Sequence, residues 1–352
     1  MIDLSIVIVS YNVRELLAQC LESVGSQQST VNSQQSAGNS QQSAGNSQQS
    51  AGNSQQSAGN SQQSAGNSSL STVHCSLSTE IFVVDNASRD ASAAIVREKF
   101  PRVNLIANAE NRGFATANNQ AFVESRGRYV MMLNPDTQVK PGALETLVKF
   151  MDAPASRRAG ACGGKLLYGD GALQHSAFAF PALAQIYLDF FPVNWRLTNS
   201  RLNGRYPRAW YARGAPFEID HPLGADFLVR REVADQVGWL DDQFFIYCEE
   251  IDWAIRIKRA GWQIWCVPQA EIIHHEAQST RQFRDAMFIE LWRARKRLFE
   301  KHYSRAFRFA AKQIVRAGLA NESRKARAAN LSKEELQKRL DAYHQVWHNL
   351  NV

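Results

Sequence analysis

The nine residues YVMMLNPDT, Tyr129 to Thr137, join a short apolar run to a polar ending. An apolar run of this length predicts a strand that is buried on both faces of a parallel sheet. Asn134, Pro135 and Asp136 follow where the strand ends. Ligands of open α/β sheets bind at the carboxyl ends of the strands, and a carboxylate there can hold a divalent cation against phosphate groups. The same residue types also favour a plain turn, so this stretch alone leaves both interpretations open.

Apolar runs alternate with helical patterns on both sides of this stretch. The alternation predicts βαβ units, and therefore an α/β fold with a mostly parallel sheet flanked by helices. The strand candidates are Leu4 to Val9, Glu80 to Asp85, Val103 to Ala107 and Tyr129 to Leu133, and the helix candidates are Val13 to Val24, Ala91 to Phe100, Ala115 to Arg126 and Pro141 to Met151.

The second half of the chain is less regular. An irregular, loop-rich segment is predicted for Ala177 to Glu218, because aromatic residues, Pro and Arg are mixed there without a period. After it the pattern predicts order at Gly224 to Arg230, a helix through Trp253 to Ala260, strands at Gln263 to Val267 and Glu271 to His274, and a long helix from Gln282 to Lys301.

A polar repeat separates the first helix from the second strand. The heptapeptide SQQSAGN occurs five times from Ser33 to Asn67, after a degenerate copy at Ser26 to Asn32. Each copy offers one Ala, whereas a coiled coil needs two apolar positions in every heptad. We therefore predict that residues 26–67 are a flexible loop inserted into a domain of residues 1–280.

The carboxyl-terminal part of the chain is strongly basic. The net charge of the 352 residues is +7, but residues 281–352 contain 17 Lys and Arg against 7 Asp and Glu. We predict a basic helical extension over residues 281–352. Two interpretations stand: the extension attracts an anionic surface such as a membrane, or its charges are a solvated face of helices packed on the domain.

Several classes of protein are excluded by composition. Five cysteines are scattered without CxxC pairs, which argues against a disulfide framework or a zinc site and for a reducing, cytoplasmic compartment. The first residues, MIDLSIVIVSYN, read as a strand rather than a signal peptide, and no run of 18 apolar residues occurs. Neither GxGxxG nor GxxxxGK[ST] follows a strand.

Polar residues follow each predicted strand of the first half and should converge on one sheet edge. Asp85 at this edge can hydrogen-bond a base or ribose, and Tyr11 can stack on a base, so the edge is suited to a nucleotide. These residues are Ser10, Tyr11 and Asn12 after the first strand, Asp85, Asn86 and Ser88 after the second, Asn108 after the third, and Asn134 to Asp136 after the fourth.

A second group of polar residues is acidic. In FFIYCEEIDWAIR, Phe244 to Arg256, the carboxylates Glu249, Glu250 and Asp252 crowd the start of a predicted helix. Acids are common there because they interact with the helix dipole and cap the helix. A carboxyl whose pKa is raised by its neighbours can instead act as a general base. His274, at the end of the last strand, could complete a metal site with Asp136.

Six motifs, taken in order, resemble those of family 2 glycosyltransferases, particularly the bacterial rhamnosyltransferase-like branch. The resemblance implies a GT-A fold, a nucleotide-sugar donor, a divalent metal (Mg²⁺ or Mn²⁺) and transfer with inversion at the anomeric carbon. The motifs are residues 4–12 (LSIVIVSYN), 80–90 (EIFVVDNASRD), 111–119 (NRGFATANN), 129–137, 224–230 and 237–265.

The resemblance also implies residue roles. Asp136 would hold the metal with His274, and the family's DxD motif is Asn134-Pro135-Asp136 here, with one carboxylate. Glu250 would be the catalytic base, with Glu249 and Asp252 as further candidates. The donor would contact Tyr11, Asn12, Asp85, Asn86, Asn111, Gly113, Asn118 and Asn134, and the acceptor would contact the segment Ala177 to Asp226, with Gly224, Asp226 and Trp253 as candidates.

The expected function is transfer of a sugar, with rhamnose as the branch's example, to a hydroxyl of a saccharide or lipid-linked acceptor in cell-surface polysaccharide synthesis. The expected location is the cytoplasm, with peripheral contact of the basic extension to the anionic inner membrane surface. No nucleic-acid partner is expected, because no recognised motif is present. The alternative is an inactive nucleotide-sugar-binding or assembly protein whose basic tail recruits partners.

Overall fold

The computed structural model describes residues 2–27, 77–275 and 284–351. The predicted repeat loop lies outside the described residues from residue 28 onward. The strands are β1 Leu4–Ser10, β2 Thr79–Asp85, β3 Asn104–Ala107, β4 Tyr129–Leu133, β5 Thr137–Val139, β6 Ala159–Leu167, β7 Leu173–Gln174, β8 Ala177–Phe178, β9 Phe217–Ile219, β10 His221–Pro222, β11 Asp226–Arg230 and β12 Gln263–His274. The helices are α1 (residues 14–27), α2 Ser92–Lys99, α3 Phe114–Glu124, α4 Ala143–Asp152, α5 Leu183–Phe190, α6 Trp195–Thr198, α7 Arg208–Ala212, α8 Arg231–Val237, α9 Glu249–Arg259, α10 Arg284–His302, α11 Arg305–Ala328 and α12 Lys333–Asn349.

The main sheet combines a parallel half with a mixed half. Strands β3, β2, β1 and β4 are parallel neighbours in that order. Beyond β4 follow β11, β6, β12 and β5. Strand β11 is antiparallel to both of its neighbours, whereas β12 runs parallel to β6 and antiparallel to β5. The carboxyl ends of β1, β2 and β4 therefore face the same edge, as the alternation of strands and helices predicts.

Both faces of the sheet are covered. Ile6 and Ile8 of β1 belong to one buried cluster, and Val7 belongs to the cluster on the opposite face, as the two-residue period of a strand requires. A third cluster joins the carboxyl-terminal helices to the rest of the fold. Trp292 of α10 stacks on Phe190 of α5 with ring centroids 5.2 Å apart, so the basic extension packs on the sheet-bearing part of the chain.

Three features of the fold differ from those that the sequence pattern predicts. The two strands predicted around residues 263–274 are one strand, β12, whose register against β6 shifts between Val267 and Glu271. Pro268 lies in this gap and has no N–H to donate to the neighbouring strand. Helix α9 begins at Glu249, earlier than predicted, which places the acidic residues in its first turn. The irregular segment contains the short helices α5 to α7.

None of the helices within the described residues is long and apolar enough to cross a lipid bilayer.

Candidate functional site

Asp136 and His274 meet at the sheet edge beyond β4. The pairing of β5 with β12 sets His274 opposite Thr137, and the backbone N–H of His275 donates to the carbonyl of Asp136 at 2.9 Å. His274 Nε2 lies 3.3 Å from Asp136 Oδ1, and both side chains are nearly buried. The two strands thus hold an imidazole nitrogen and a carboxylate oxygen side by side.

Gln174 determines which nitrogen of His274 is free. The Gln174 amide oxygen lies 3.1 Å from His274 Nδ1, and because this oxygen can only accept, Nδ1 carries the proton. In the neutral imidazole the lone pair is then on Nε2, which lies 3.3 Å from Asp136 Oδ1 and 3.5 Å from the Asn134 amide nitrogen. Metal-binding histidines usually have one nitrogen anchored in this manner.

The donor set of Asp136 and His274 fits a divalent cation. Adjacent ligands of an octahedral ion at about 2.1 Å lie about 3 Å apart, close to the observed Nε2 to Oδ1 distance. Within the described part of the chain, no group of three His, Cys, Asp or Glu residues gathers around one point. These two residues would therefore leave most positions of the ion to water and substrate oxygens, as is usual for Mg²⁺ beside phosphates.

Replacing Gln174 tests this arrangement. We expect Gln174→Leu to lower the affinity for Mn²⁺ by about 10–100-fold, because the imidazole loses the partner that fixes its tautomer. Gln174→Glu is the matched control, since a carboxylate accepts the same N–H, and it should keep affinity near that of the unchanged protein. Calorimetric titration with Mn²⁺ measures both. Equal affinities for the Leu and Glu variants would contradict the role of Gln174.

Buried oxygen atoms without partners line the ends of β1 and β2. Ser10 Oγ, Asp85 Oδ1 and Asn118 Oδ1 are all buried, and none of these three atoms has a hydrogen-bond partner. The other oxygen of Asp85 accepts from the backbone N–H of Ser88 at 3.2 Å. Unpaired buried polar atoms cost stability unless a ligand or water completes them. Tyr11 lies half-buried directly after Ser10, so this edge offers both polar atoms and a ring to a ligand.

Other residues predicted to contact the nucleotide-sugar donor form hydrogen bonds within the protein. The Asn86 amide donates to Asn111 Oδ1 at 2.8 Å, and its oxygen accepts from the backbone N–H of Arg112. Asn12 Oδ1 accepts from the backbone N–H of Arg89 at 2.7 Å. These amides shape the loops at the edge, and their contact with a donor stays a prediction.

Gly113 joins this edge to the loop before α9. Its φ of +83° belongs to the left-handed region, and a Cβ there would lie 2.7 Å from the carbonyl oxygen of Phe245. The next N–H, of Phe114, donates to that carbonyl at 2.6 Å. Tyr247 and Cys248, which follow in the same loop, also have positive φ values of 72° and 66°. Such conformations in residues other than Gly are strained and gather at functional sites.

Glu250 is the acid best placed for proton transfer. It is partly exposed, and a Cβ on Gly224 would lie 3.4 Å from Glu250 Cγ, so the missing side chain of Gly224 leaves room above the carboxyl. Burial raises the pKa of Glu250 to about 7. For neighbouring Glu249, burial and then the charge of Glu250 raise the pKa well above its ordinary value.

A short backbone connection links Glu250 to the Asp136 strand end. The N–H of Asn134 donates to the carbonyl of Ala225 at 2.9 Å, and Ala225 follows Gly224 directly. Glu250 therefore packs against Gly224, one residue before the carbonyl that is bonded to the strand end of Asp136. A general base with a pKa near neutrality is suited to deprotonate a hydroxyl that attacks a phosphate-activated substrate.

Asp252 serves the fold. It is fully buried, and its Oδ1 lies 2.6 Å from His302 Nε2 and 2.7 Å from Lys301 Nζ, both on α10, while its Oδ2 accepts from Arg256 at 2.9 Å. Burial would raise the pKa of Asp252, but hydrogen bonds from Lys301 and His302 and the charge of Arg256 hold it below its usual value. This cluster fastens the basic extension to the helix that carries Glu250.

Removal of Asp252 should therefore affect stability first. We expect Asp252→Ala to lower the free energy of unfolding by about 3–5 kcal/mol, because Arg256, Lys301 and His302 lose their common buried partner. Glu145→Ala is a control: Glu145 forms an exposed pair with Lys149, worth about 0.5 kcal/mol or less. Denaturant unfolding measures both. If Asp252→Ala kept full stability and lost turnover, the residue would return to the list of candidate bases.

The acceptor prediction for Trp253 is wrong. Its side chain is fully buried, its indole N–H donates to the carbonyl of Gly238 at 2.9 Å, and its ring packs against Phe122 and Phe227. A residue in the core presents no surface to an acceptor. Asp226 is also fully buried, with one oxygen bound to the backbone N–H of Gly164 and the other without a partner. Its acceptor role stays a prediction, as does that of Gly224.

Sequence reasoning missed Gln174, Lys301 and His302. Gln174 lies on a strand of two residues and reaches a histidine 100 positions later, so no local pattern marks it. His302 and Lys301 end a helix with a basic last turn, which is common and carries no signal for a buried ion pair.

Comparison with known proteins agrees with the fold. The sequence profile described as "Glycosyl transferase family 2" matches residues 67–236. The N-acetylglucosaminyl-diphospho-decaprenol L-rhamnosyltransferase of Mycobacterium tuberculosis is 32% identical over 222 residues, which are 57% of this chain and 67% of the relative. Rhamnosyltransferase WbbL of Escherichia coli is 26% identical over 213 residues, 58% of this chain and 72% of the relative.

Two solved structures share the fold. One is a mannosyltransferase of Pyrobaculum calidifontis in complex with GDP-Man and Mn²⁺, with a TM-score of 0.51 at 14% identity over 99% of this chain and 85% of its own. The other is GalNAc-T7 with UDP, GalNAc and Mn²⁺, with a TM-score of 0.54 at 13% identity over 97% of this chain and 54% of its own. From its matched profile, its relatives and its architecture, the chain belongs to glycosyl transferase family 2 and is a glycosyltransferase with the GT-A fold.

Proposed function

We propose that the protein moves a sugar from a nucleotide-diphosphate donor to a hydroxyl of a saccharide or lipid-linked acceptor, in cell-surface polysaccharide synthesis. The observation that carries the proposal is the Asp136–His274 pair at the strand end. Glu250, whose pKa burial raises to about 7, lies beside Gly224, and the next residue, Ala225, accepts a hydrogen bond from the N–H of Asn134 at that strand end. The names of two relatives, both rhamnosyltransferases, favour rhamnose as the sugar.

In this proposal Asp136 and His274 hold a divalent ion, Mg²⁺ or Mn²⁺, which when bound offsets the negative charge of the departing nucleoside diphosphate. Asp85, Ser10 and Asn118 offer their unpaired oxygens to the base and ribose, and Tyr11 offers its ring. The amide network of Asn86 and its neighbours keeps these loops in place.

Glu250 supplies the proton transfer. Its carboxylate accepts the proton of the acceptor hydroxyl while the oxygen attacks the anomeric carbon from the face opposite the leaving group. One displacement at that carbon inverts its configuration. Gly224 keeps the space above Glu250 open for the acceptor. We further propose that the protein works in peripheral contact with a membrane, where a lipid-linked acceptor would reside.

A panel of nucleotide sugars tests the proposal by thermal shift, with Mn²⁺ and with chelator. A ligand that binds only the folded protein raises its melting temperature, by an amount that grows with concentration over Kd. We expect one nucleotide sugar to stabilise the protein in Mn²⁺ and much less in chelator. An inactive binding protein would give the same shift without ever hydrolysing the donor, so slow release of nucleoside diphosphate separates the two. No shift with any nucleotide sugar would contradict the proposal.

A further inference from the structure

Large apolar side chains are exposed close together in the loop after α5. Val193, Trp195 and Leu202 are 68%, 70% and 57% exposed, and Leu197 of the same loop is also exposed. These four lie within ten residues of sequence. Single exposed apolar residues need no explanation, but a group of them in one segment marks an interaction surface. We call residues 191–216 the arginine segment, for the reason that follows.

The arginine segment is cationic throughout. It contains five Arg and neither Asp nor Glu. The Arg196 guanidinium lies 5.6 Å from the ring centre of Trp195, and that of Arg201 lies 4.1 Å from the ring centre of Tyr206. Among the described residues, no carboxylate pairs with any of the five. The charge is therefore uncompensated and interleaved with aromatic and aliphatic side chains.

The segment is held in a defined shape. Its first turn begins at Asn194, whose side chain accepts from the N–H of Arg196, and Asn203 Nδ2 donates to the carbonyl of Thr198 at 2.9 Å. Arg205 donates to Asn199 Oδ1 at 2.6 Å. Tyr206 and Tyr211 of the segment belong to a buried cluster, so these bonds and the core together support the exposed apolar side chains.

The far end of the arginine segment approaches the donor site. His175, next to Gln174, is buried, and its pKa is lowered to about 4 by burial and then by the charges of Arg205 and Arg208. Gln174 holds His274. The positive surface thus extends from exposed Trp195 toward the Asp136–His274 pair.

Trp and Arg side chains with neighbouring aliphatic residues are suited to the boundary between lipid headgroups and acyl chains. A second copy of the chain would bring five arginines against five, which disfavours self-association. In the described residues 284–351 of the extension, six of the sixteen Lys and Arg side chains form ion pairs, as Arg295 does with Asp189. Phe309 is the one large apolar side chain exposed within those residues, so the extension lacks the apolar group that would enter a bilayer and is the weaker candidate.

We propose that the arginine segment is the membrane-contacting surface: Val193, Trp195 and Leu202 enter the headgroup region of an anionic bilayer, and the arginines bind its phosphates. This inference rests on the proposed function in one respect, that the acceptor is lipid-linked. The segment would then present the acceptor's headgroup to Glu250 from the membrane side.

Vesicle flotation of the full chain tests the proposal. One set of vesicles contains phosphatidylcholine alone, and the other contains phosphatidylcholine with about 30% of the anionic lipid phosphatidylglycerol. We expect the protein to float with the anionic vesicles and not with the neutral ones. The double variant Arg196→Gln and Arg201→Gln should lower partitioning of the protein into anionic vesicles by about 10–30-fold. Each positive charge near an anionic surface contributes about fivefold to that partitioning. Trp195→Ser with Leu202→Ser should lower it by about tenfold or more.

Phe309→Ser is the matched control, because Phe309 of α11 is equally exposed, at 68%, and lies on the basic extension. Its partitioning should stay within about twofold of the unchanged protein. Melting temperatures should be unchanged in all variants, since the replaced side chains are exposed. Lack of preference for anionic vesicles, loss in Phe309→Ser alone, or a dimer in light scattering that Trp195→Ser dissolves would each overturn the proposal.

Activity separates this inference from the proposed function. Without any acceptor, the flotation-deficient variants should hydrolyse the donor at the unchanged rate, because none of the replaced residues is assigned to the donor, the metal or the base. If no form of the protein transferred sugar while flotation behaved as expected, the proposed function would fail and the membrane surface would stand. If transfer occurred and flotation showed no preference for anionic vesicles, the membrane surface would fail and the proposed function would stand.

Discussion

Glu250→Gln is expected to lower kcat for sugar transfer by about a hundredfold or more and to leave donor affinity nearly unchanged. Gln keeps the size and the packing beside Gly224 but cannot accept a proton from the attacking hydroxyl. General bases contribute about 10²–10⁴-fold to rate. Steady-state turnover measures the first quantity, and calorimetric titration with the donor measures the second.

The pH profile of turnover tests the same residue. Because burial raises the pKa of Glu250 to about 7, the base is ionised above that pH and protonated below it. The kcat of the unchanged protein should therefore fall tenfold per unit as pH decreases below about 7. In Glu250→Gln this fall should disappear.

Glu249→Gln is the matched control for Glu250→Gln. Glu249 is buried, its pKa is raised well above the ordinary value by burial and the charge of Glu250, and Gln keeps its size while removing the carboxyl. Turnover of this variant should stay within about tenfold of the unchanged protein. Near-normal turnover in Glu250→Gln, together with a large loss in Glu249→Gln, would move the base to Glu249.

Asp136→Ala is expected to abolish the dependence of donor binding on a divalent metal. It removes one of two protein ligands, so we expect the affinity for Mn²⁺ to fall by about a hundredfold or more. This loss should exceed that in Gln174→Leu, which removes only the hydrogen-bond partner of a ligand. Donor affinity in Mn²⁺ should drop to the value that the unchanged protein has in chelator. Calorimetric titrations with Mn²⁺ and with the donor measure both quantities.

Two comparisons sharpen the Asp136→Ala experiment. Glu145→Ala removes a carboxylate from the surface of α4 and should leave both affinities unchanged. His274→Ala should repeat the loss, because His274 Nε2 is the neighbouring donor atom. Donor affinity that is the same with metal and with chelator in the unchanged protein would remove Asp136 and His274 from the metal site.

The parallel half of the sheet could be predicted from sequence because its signals are local. Each of β1 to β4 is a short apolar run followed by polar residues, and the helices between them show their own period. Strand β12 could not be foreseen as one element, since Pro268 interrupts its pattern while pairing with β6 resumes at Glu271.

The candidate site was predictable in its residue types and less so in their roles. Glu249, Glu250 and Asp252 are three neighbouring acids in sequence. Only tertiary contacts distinguish Asp252, which pairs with His302 of α10, from Glu250, whose side chain lies beside Gly224. Trp253 reads in sequence like an aromatic binding residue, yet the turn of α9 directs it into the core. Roles that depend on which helix face packs require the fold.

We propose that the protein transfers a sugar by a single displacement at the sheet edge that carries Asp136 and His274, with Glu250 as the base. Proton NMR of the reaction with a nucleotide-diphosphate sugar, Mn²⁺ and a saccharide acceptor tests it directly. We predict a new glycoside whose anomeric configuration is opposite to that of the donor, with one nucleoside diphosphate released for each glycoside formed. A glycoside of retained configuration, or release of no nucleoside diphosphate from any donor, would contradict the account.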